Sequence, residues 1–179
     1  MRIIVVLVIS VAVLSFAGWI AYTVMTTKVH SPEETVAFSV GDDTFTVTYC
    51  RPFKKGRKIF GGLVPHGEYW RTGANDATEV SFSKAIIFGG EQVPAGRYRL
   101  YTTPDVNQWQ VVLNGELSQW GAFMPNHDLD IADVQVPTRV MPIVVEQFTI
   151  YFDEMDADTG YNMHMQWDQT EVIIPITMQ

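Results

Sequence analysis

The chain has 179 residues, with 12 Lys and Arg set against 20 Asp and Glu for a formal charge of −8. Once the apolar N-terminal stretch is set aside, the length leaves one domain large enough for a core of its own, and the acidic balance excludes nucleic acid as a partner. The single cysteine, Cys50, allows no intramolecular disulfide and no thiolate metal site, and its place at the end of a strand pattern predicts burial.

From Ile3 to Met25 the sequence carries no charge. At about 1.5 Å per residue such a helix crosses roughly 30 Å of bilayer hydrocarbon. Ser15-Phe16-Ala17 offers a small-residue cleavage site, but the apolar run continues past it, which favours an uncleaved anchor over a cleaved signal. Trp19 and Tyr22 fall where an aromatic belt meets the far headgroups, and Ala17, Gly18 and Ala21 form a small-residue patch on which another membrane helix could pack. The expected division is an anchor over residues 1–27, a linker over 28–34 and a β domain over 35–179.

Past the linker, apolar and polar residues alternate at Thr44 to Tyr49, Thr78 to Phe82 and Ala85 to Phe88, the last ending in a Gly89-Gly90 turn. Val93-Pro94-Ala95-Gly96 turns the chain into Arg97 to Thr103, and Pro104-Asp105 turns it into Trp109 to Leu113. Asn114-Gly115, a favoured hairpin dipeptide, closes that strand. Further strands are predicted at Ile131 to Val140, Gln147 to Asp153, Tyr161 to Trp167 and Glu171 to Thr177. With no amphipathic helix after the anchor, the fold class expected is all-β: an antiparallel β-sandwich or jelly-roll-like domain behind one N-terminal transmembrane helix.

The stretch from Arg51 to Asn75 has neither helical nor strand period, and it is rich in glycine and cations. Five of the 12 basic residues lie between Arg51 and Lys58. Tyr49-Cys50-Arg51-Pro52, Lys55-Gly56-Arg57, Ile59-Phe60-Gly61, Leu63-Val64-Pro65, Gly67, Trp70 through Asn75 and Ala77-Thr78 resemble the signature of the bacterial family known as domain of unknown function 2911. Pro94-Ala95-Gly96-x-Tyr98 and Gln119-Trp120-Gly121 are similar to its later landmarks, and the resemblance runs from about Ser31 to Met178. It implies an exported β-rich domain and no particular activity. The chain departs from the pattern in its full spanning segment, where the family's usual member looks secreted behind a cleaved signal, and in its acidic strands after Asp128.

Arg51, Lys55, Arg57 and Arg71, with the backbone amides of Gly61, Gly62 and Gly73, could converge on a carboxylate or phosphate, which guanidinium forks grip in bidentate fashion. Alternatively, the arginines pair within the chain and brace a long loop. Trp70 with Tyr69, Trp109 and Trp120 could stack on a sugar ring, or fill the core. Asn75 could orient a ligand or close a turn. The four histidines are scattered, and Asp153, Glu154, Asp156 and Asp158 read as an acidic hairpin tip rather than a calcium loop. No nucleophile elbow, phosphate-binding loop or HExxH helix occurs, so no catalytic residue, cofactor or metal is expected. The expectation is a non-catalytic, single-pass protein of the bacterial inner membrane, N-terminus cytoplasmic and β domain periplasmic. It would act as an accessory or docking subunit of a membrane assembly, with the bilayer met through residues 3–25. The alternative is a binding module for a small anion or sugar, built on the Arg51 to Asn75 loop.

Overall fold

A computed structural model of the chain describes residues 2–117, 121, 123–155 and 160–179. One helix, α1 (Arg2–His30), precedes nine strands: β1 (Glu33–Val40), β2 (Asp43–Cys50), β3 (Thr78–Phe82), β4 (Ile86–Phe88), β5 (Glu91–Val93), β6 (Gly96–Pro104), β7 (Gln108–Asn114), β8 (Asp130–Glu154) and β9 (Tyr161–Met178). The strands form one antiparallel sheet in the order β1-β2-β3-β6-β7-β8-β9-β4-β5. The expected all-β antiparallel architecture behind an apolar N-terminal helix is therefore present.

The period-two pattern explains the sheet's faces. In β2, Phe45, Val47 and Tyr49 are buried, while Thr46 and Thr48 point outward and pair with Ser81 and Thr35 on the flanking strands. β8 is the element that folds the sheet over. It pairs with β7 up to Pro137 and with β9 from Thr138, and its register with β9 shifts between Val140 and Val145 and again before Thr149. Such shifts bend a strand. The bend carries the far half of β8 over β1 and β2, so Phe45 packs on Phe152 at 5.9 Å and Tyr49 meets Phe148 edge-on at 5.6 Å. The Tyr49 hydroxyl accepts from the Ile150 amide at 2.8 Å, which fastens β2 to β8 through the core.

Several details differ from the sequence expectation. Of residues 28–34, expected as a linker, 28–30 end α1 and 33–34 begin β1, which pairs with β2 along its whole length, so that residues 31–32 alone connect the two. β1 keeps only a half-buried side (Glu34, Val36, Phe38, Val40), so its alternation is weak in sequence. Asn114-Gly115 ends β7 without forming a tight hairpin; the chain makes an excursion to residue 129 before β8. The reason is that the buried Asn114 amide donates to Asn126 O and Asp130 Oδ1, pinning both ends of the excursion. The strands expected at 131–140 and 147–153 are one strand, as are those at 161–167 and 171–177, where Asp168 takes a φ of 56°. Trp120 and Gln119 of the later landmark, and Asp156 and Asp158 of the acidic tip, lie outside the described residues.

α1 is long and apolar enough to cross a membrane, and its described apolar side chains, including Leu14, Phe16 and Trp19, are exposed. Its C-terminal end is tied to the sheet. Lys28 Nζ lies 3.3 Å from Glu33 and 3.0 Å from Asp76, and Ser31 O accepts from Asn75 Nδ2 at 3.4 Å.

Candidate functional site at the foot of α1

The loop between β2 and β3 lacks regular structure yet is held at many points. Lys54 N donates to Glu146 O at 2.7 Å, Gly67 N to Pro104 O at 2.9 Å, and Trp70 exchanges backbone bonds with Thr102 at 2.7 and 2.9 Å. Ile59 and Val64 drop into the core as plugs. Lys55, Thr72 and Asn75 all adopt left-handed backbone conformations at φ 49°, 55° and 57°. Each such non-glycine residue costs of order 1 kcal/mol, and this kind of strain concentrates at functional sites. Thr72 is held there by burial and by its bond to Thr102 Oγ1 at 3.0 Å.

The loop walls a cavity of about 430 Å³ that reaches from the end of α1 to the buried face of β9. That volume suits a small ligand. Trp70 and Trp167 both line it and stack on each other, their ring centroids 5.9 Å apart and the planes 17° from parallel. The Trp70 indole N–H donates to Gly73 O at 3.1 Å, whereas the Trp167 indole N–H is buried without a hydrogen-bond partner among the described residues. Around the lining stand Lys55, Arg57, Arg71 and His30, and no Asp or Glu is among the described lining residues. In a chain of formal charge −8 this is a local inversion of sign.

Of the six residues singled out in the sequence, the structure brings five to this cavity: Lys55, Arg57, Trp70, Arg71 and Asn75. Lys55 Nζ stands 3.3 Å from His30 Nδ1. Arg57 spends part of its fork on its own loop, donating from Nε to Lys54 O at 2.9 Å. Among the described residues Arg71 makes one long bond, Nη1 to Asn75 O at 3.3 Å. Arg51 goes elsewhere. Its guanidinium reaches Glu34 Oε2 at 2.6 Å, Phe148 O at 3.0 Å and Thr149 Oγ1 at 2.8 Å, so it joins β1, β2 and β8. The amides of Gly61 and Gly62 close turns on Val64 O and Ile59 O and do not face the cavity's contents. Trp109 is core, and Tyr69 turns to the outer face of the sheet.

Three features escaped the sequence. His30 and Trp167 line the cavity although they lie far from the loop in sequence. On the outer face, the buried Arg99 donates to Tyr69 Oη and Phe123 O at 2.6 Å, while Tyr101 Oη bonds Asp130 and His127. Burial and the Asp130 carboxylate push the Tyr101 phenol above its ordinary range. The only signal was a Tyr at an outward position of β6. Third, Glu33, Cys50 and Asp76 bring one sulfur and two carboxylates within 4.8 Å of one another. Lys28 sits between the two carboxylates and offsets one of their two charges, so the trio forms part of the clamp on α1.

The described helix patch of Ala17, Gly18 and Ala21 makes no contact with the domain, and a Cβ at Gly18 would meet nothing within 4 Å. Comparison with known proteins gives one family match, to the model described as protein of unknown function (DUF2911), over residues 31–176. No curated protein and no solved structure matches the chain. The match spans the β domain up to the last residues of β9, together with the cavity-forming loop, and the chain belongs to the DUF2911 family.

Proposed function

We propose that the protein is a membrane-tethered binding module whose cavity takes a small organic anion with a flat or ring-shaped apolar body. The observation that carries this is the composition of the lining: three cations, an imidazole and two stacked indoles, with no carboxylate among the described residues. Among the described residues the Arg71 guanidinium makes one long hydrogen bond, and its other donors would serve a carboxylate or phosphate. The two buried indoles form an apolar floor against which the apolar part of such a ligand would lie. α1 would hold the module at a bacterial inner membrane, with the β domain on the periplasmic side.

A ligand screen tests this. The full chain in detergent is heated with inorganic phosphate, sugar phosphates, aromatic carboxylates or short dicarboxylates. A rise in melting temperature of a few degrees is expected with at least one, and its absence in Arg71→Ala, whose unliganded melting temperature stays close to that of the parent. A loss of structure in Arg71→Ala without ligand would make the arginine a brace instead.

The open small-residue patch of Ala17, Gly18 and Ala21 favours a second reading, an accessory subunit docked on a membrane assembly through α1. Native size determination after mild detergent extraction separates the two: a docked subunit migrates with its assembly, a free module alone.

A further inference from the structure

The two ends of the β domain are chemically unlike. β1 and β2 run side by side from Glu33 and Cys50, at the foot of α1, to the exposed turn Gly41-Asp42 at the opposite end, about 26 Å away for eight residues of strand. At the foot of α1, Lys55, Arg57 and Lys58 are exposed, and among the described residues none of the three has a carboxylate in salt-bridge range. Of the carboxylates that touch this loop, one is paired with a cation and one is held by a backbone amide. Asp168 pairs with Lys54 at 2.6 Å, and Glu146 accepts from the Lys55 amide at 2.8 Å.

Beside the loop, the register break in β8 turns an apolar run outward. Val140, Ile143 and Val144 are 86%, 64% and 53% exposed. This is not a separate region of the surface. Glu146, two residues beyond Val144, bonds Lys54 N and Lys55 N, and Lys55 Nζ in turn stands 3.3 Å from His30 Nδ1. Cations, apolar side chains and the end of α1 therefore form one continuous face.

His30 follows the end of the apolar run, Met25, by five residues of helix, which places it about 8 Å outside the hydrocarbon, within the headgroup layer. The Lys28 bonds to Glu33 and Asp76, and the start of β1 at Glu33, leave little slack between helix and sheet. The geometry points to a second lipid contact: the loop Lys55 to Lys58 lies on anionic headgroups, while Val140, Ile143 and Val144 enter the interface beside them. This rests on α1 staying in the bilayer, and it makes the foot of the domain a lipid-facing surface in its own right. Polybasic segments next to a spanning helix bind anionic leaflets in this way, and apolar side chains at the boundary add to the attachment.

The test uses the full chain in vesicles of phosphatidylcholine and phosphatidylglycerol. Native Cys50 is buried, so an introduced cysteine carries the fluorophore. Val144→Cys and Asp42→Cys are compared for quenching by a lipid with a nitroxide on its headgroup. The expected result is loss of emission at position 144 and retention at 42. Emission at 144 recovers in pure phosphatidylcholine vesicles and in the Lys55→Glu, Arg57→Glu, Lys58→Glu variant. Equal emission at both positions, in a chain that stays with the vesicles through an alkaline carbonate wash, would overturn the second contact while leaving the anchor in place. A chain that the wash removes would overturn both.

Discussion

Gly121 lies against the stem of Arg71: a Cβ at position 121 would stand 2.7 Å from Arg71 Cδ, and 2.9 Å from Asn75 O. The side chain could swing aside, but the carbonyl belongs to the backbone that shapes the cavity wall and accepts from Gly121 N at 3.2 Å. Gly121→Ala should therefore separate this segment from the loop, at a cost of about 1–3 kcal/mol. Urea denaturation measures the loss, and any ligand response that depends on Arg71 should weaken with it. An unchanged midpoint would mean that residue 121 packs less tightly than the structure shows.

Arg51 and Arg71 should part company under mutation. Arg51 donates to Phe148 O and Thr149 Oγ1 and pairs with Glu34, so Arg51→Ala removes three ties between strands and leaves Phe148 O without its side-chain donor. A destabilisation of about 2–3 kcal/mol is expected, with most of it from the hydrogen bonds, because the half-exposed ion pair alone contributes about 1 kcal/mol or less. Arg71→Ala should stay within about 1 kcal/mol of the parent. Comparing the two urea midpoints is enough, and a reversed order would exchange the roles of brace and binder.

Stability should fall on the acid side in part through Glu171. Burial opposes ionisation there, but bonds from Gln166 Nε2 at 2.6 Å and His164 Nδ1 at 2.9 Å, with the nearby positive charge, hold its carboxyl below the usual glutamate value. Because the folded value is lowered, the contribution is present at pH above the unfolded value, about 4.3, and is lost as pH falls through the folded one. Glu171→Gln should lower stability near neutrality and flatten the decline below pH about 4. Parallel melting curves for the two proteins between neutrality and acid would contradict this.

Cys50 should be silent to thiol reagents while the chain is folded. It is buried, and burial pushes the thiol up, with the Asp76 and Glu33 charges adding to the effect. Since the thiolate is the reactive form, a maleimide should label the chain only on unfolding. Rapid labelling in native buffer would show that the clamp around Glu33, Asp76 and Lys28 opens.

Most of the strands could be read from the sequence because each carries a clean alternation; Thr78–Phe82, with no Gly or Pro at either end, matches its bounds on alternation alone. β1 was not legible, since an edge strand with one half-buried face has a pattern close to that of a polar linker. The bend of β8 was not legible either: the strands expected at 131–140 and 147–153, with residues 141–146 between them, read as separate until their pairing with one β9 is seen. For the cavity, local sequence supplied the loop's cations and Trp70, but His30 and Trp167 reach it only through the fold. Arg51 looked the same as Arg71 in sequence, because the partner that claims it, Glu34, lies on a strand the alternation did not reveal.

The central claim is that the lining around Arg71 and the two indoles is a place for an anion. Calorimetric titration of the full chain in detergent with the best-scoring anion of the screen tests it most directly, alongside Arg71→Ala and Lys55→Ala. Saturable heat is expected in the parent, at least tenfold weaker affinity in Arg71→Ala, about 1.4 kcal/mol or more, with an unchanged unliganded melting temperature. Equal affinity in all three proteins, or no saturable heat with any anion, would contradict it.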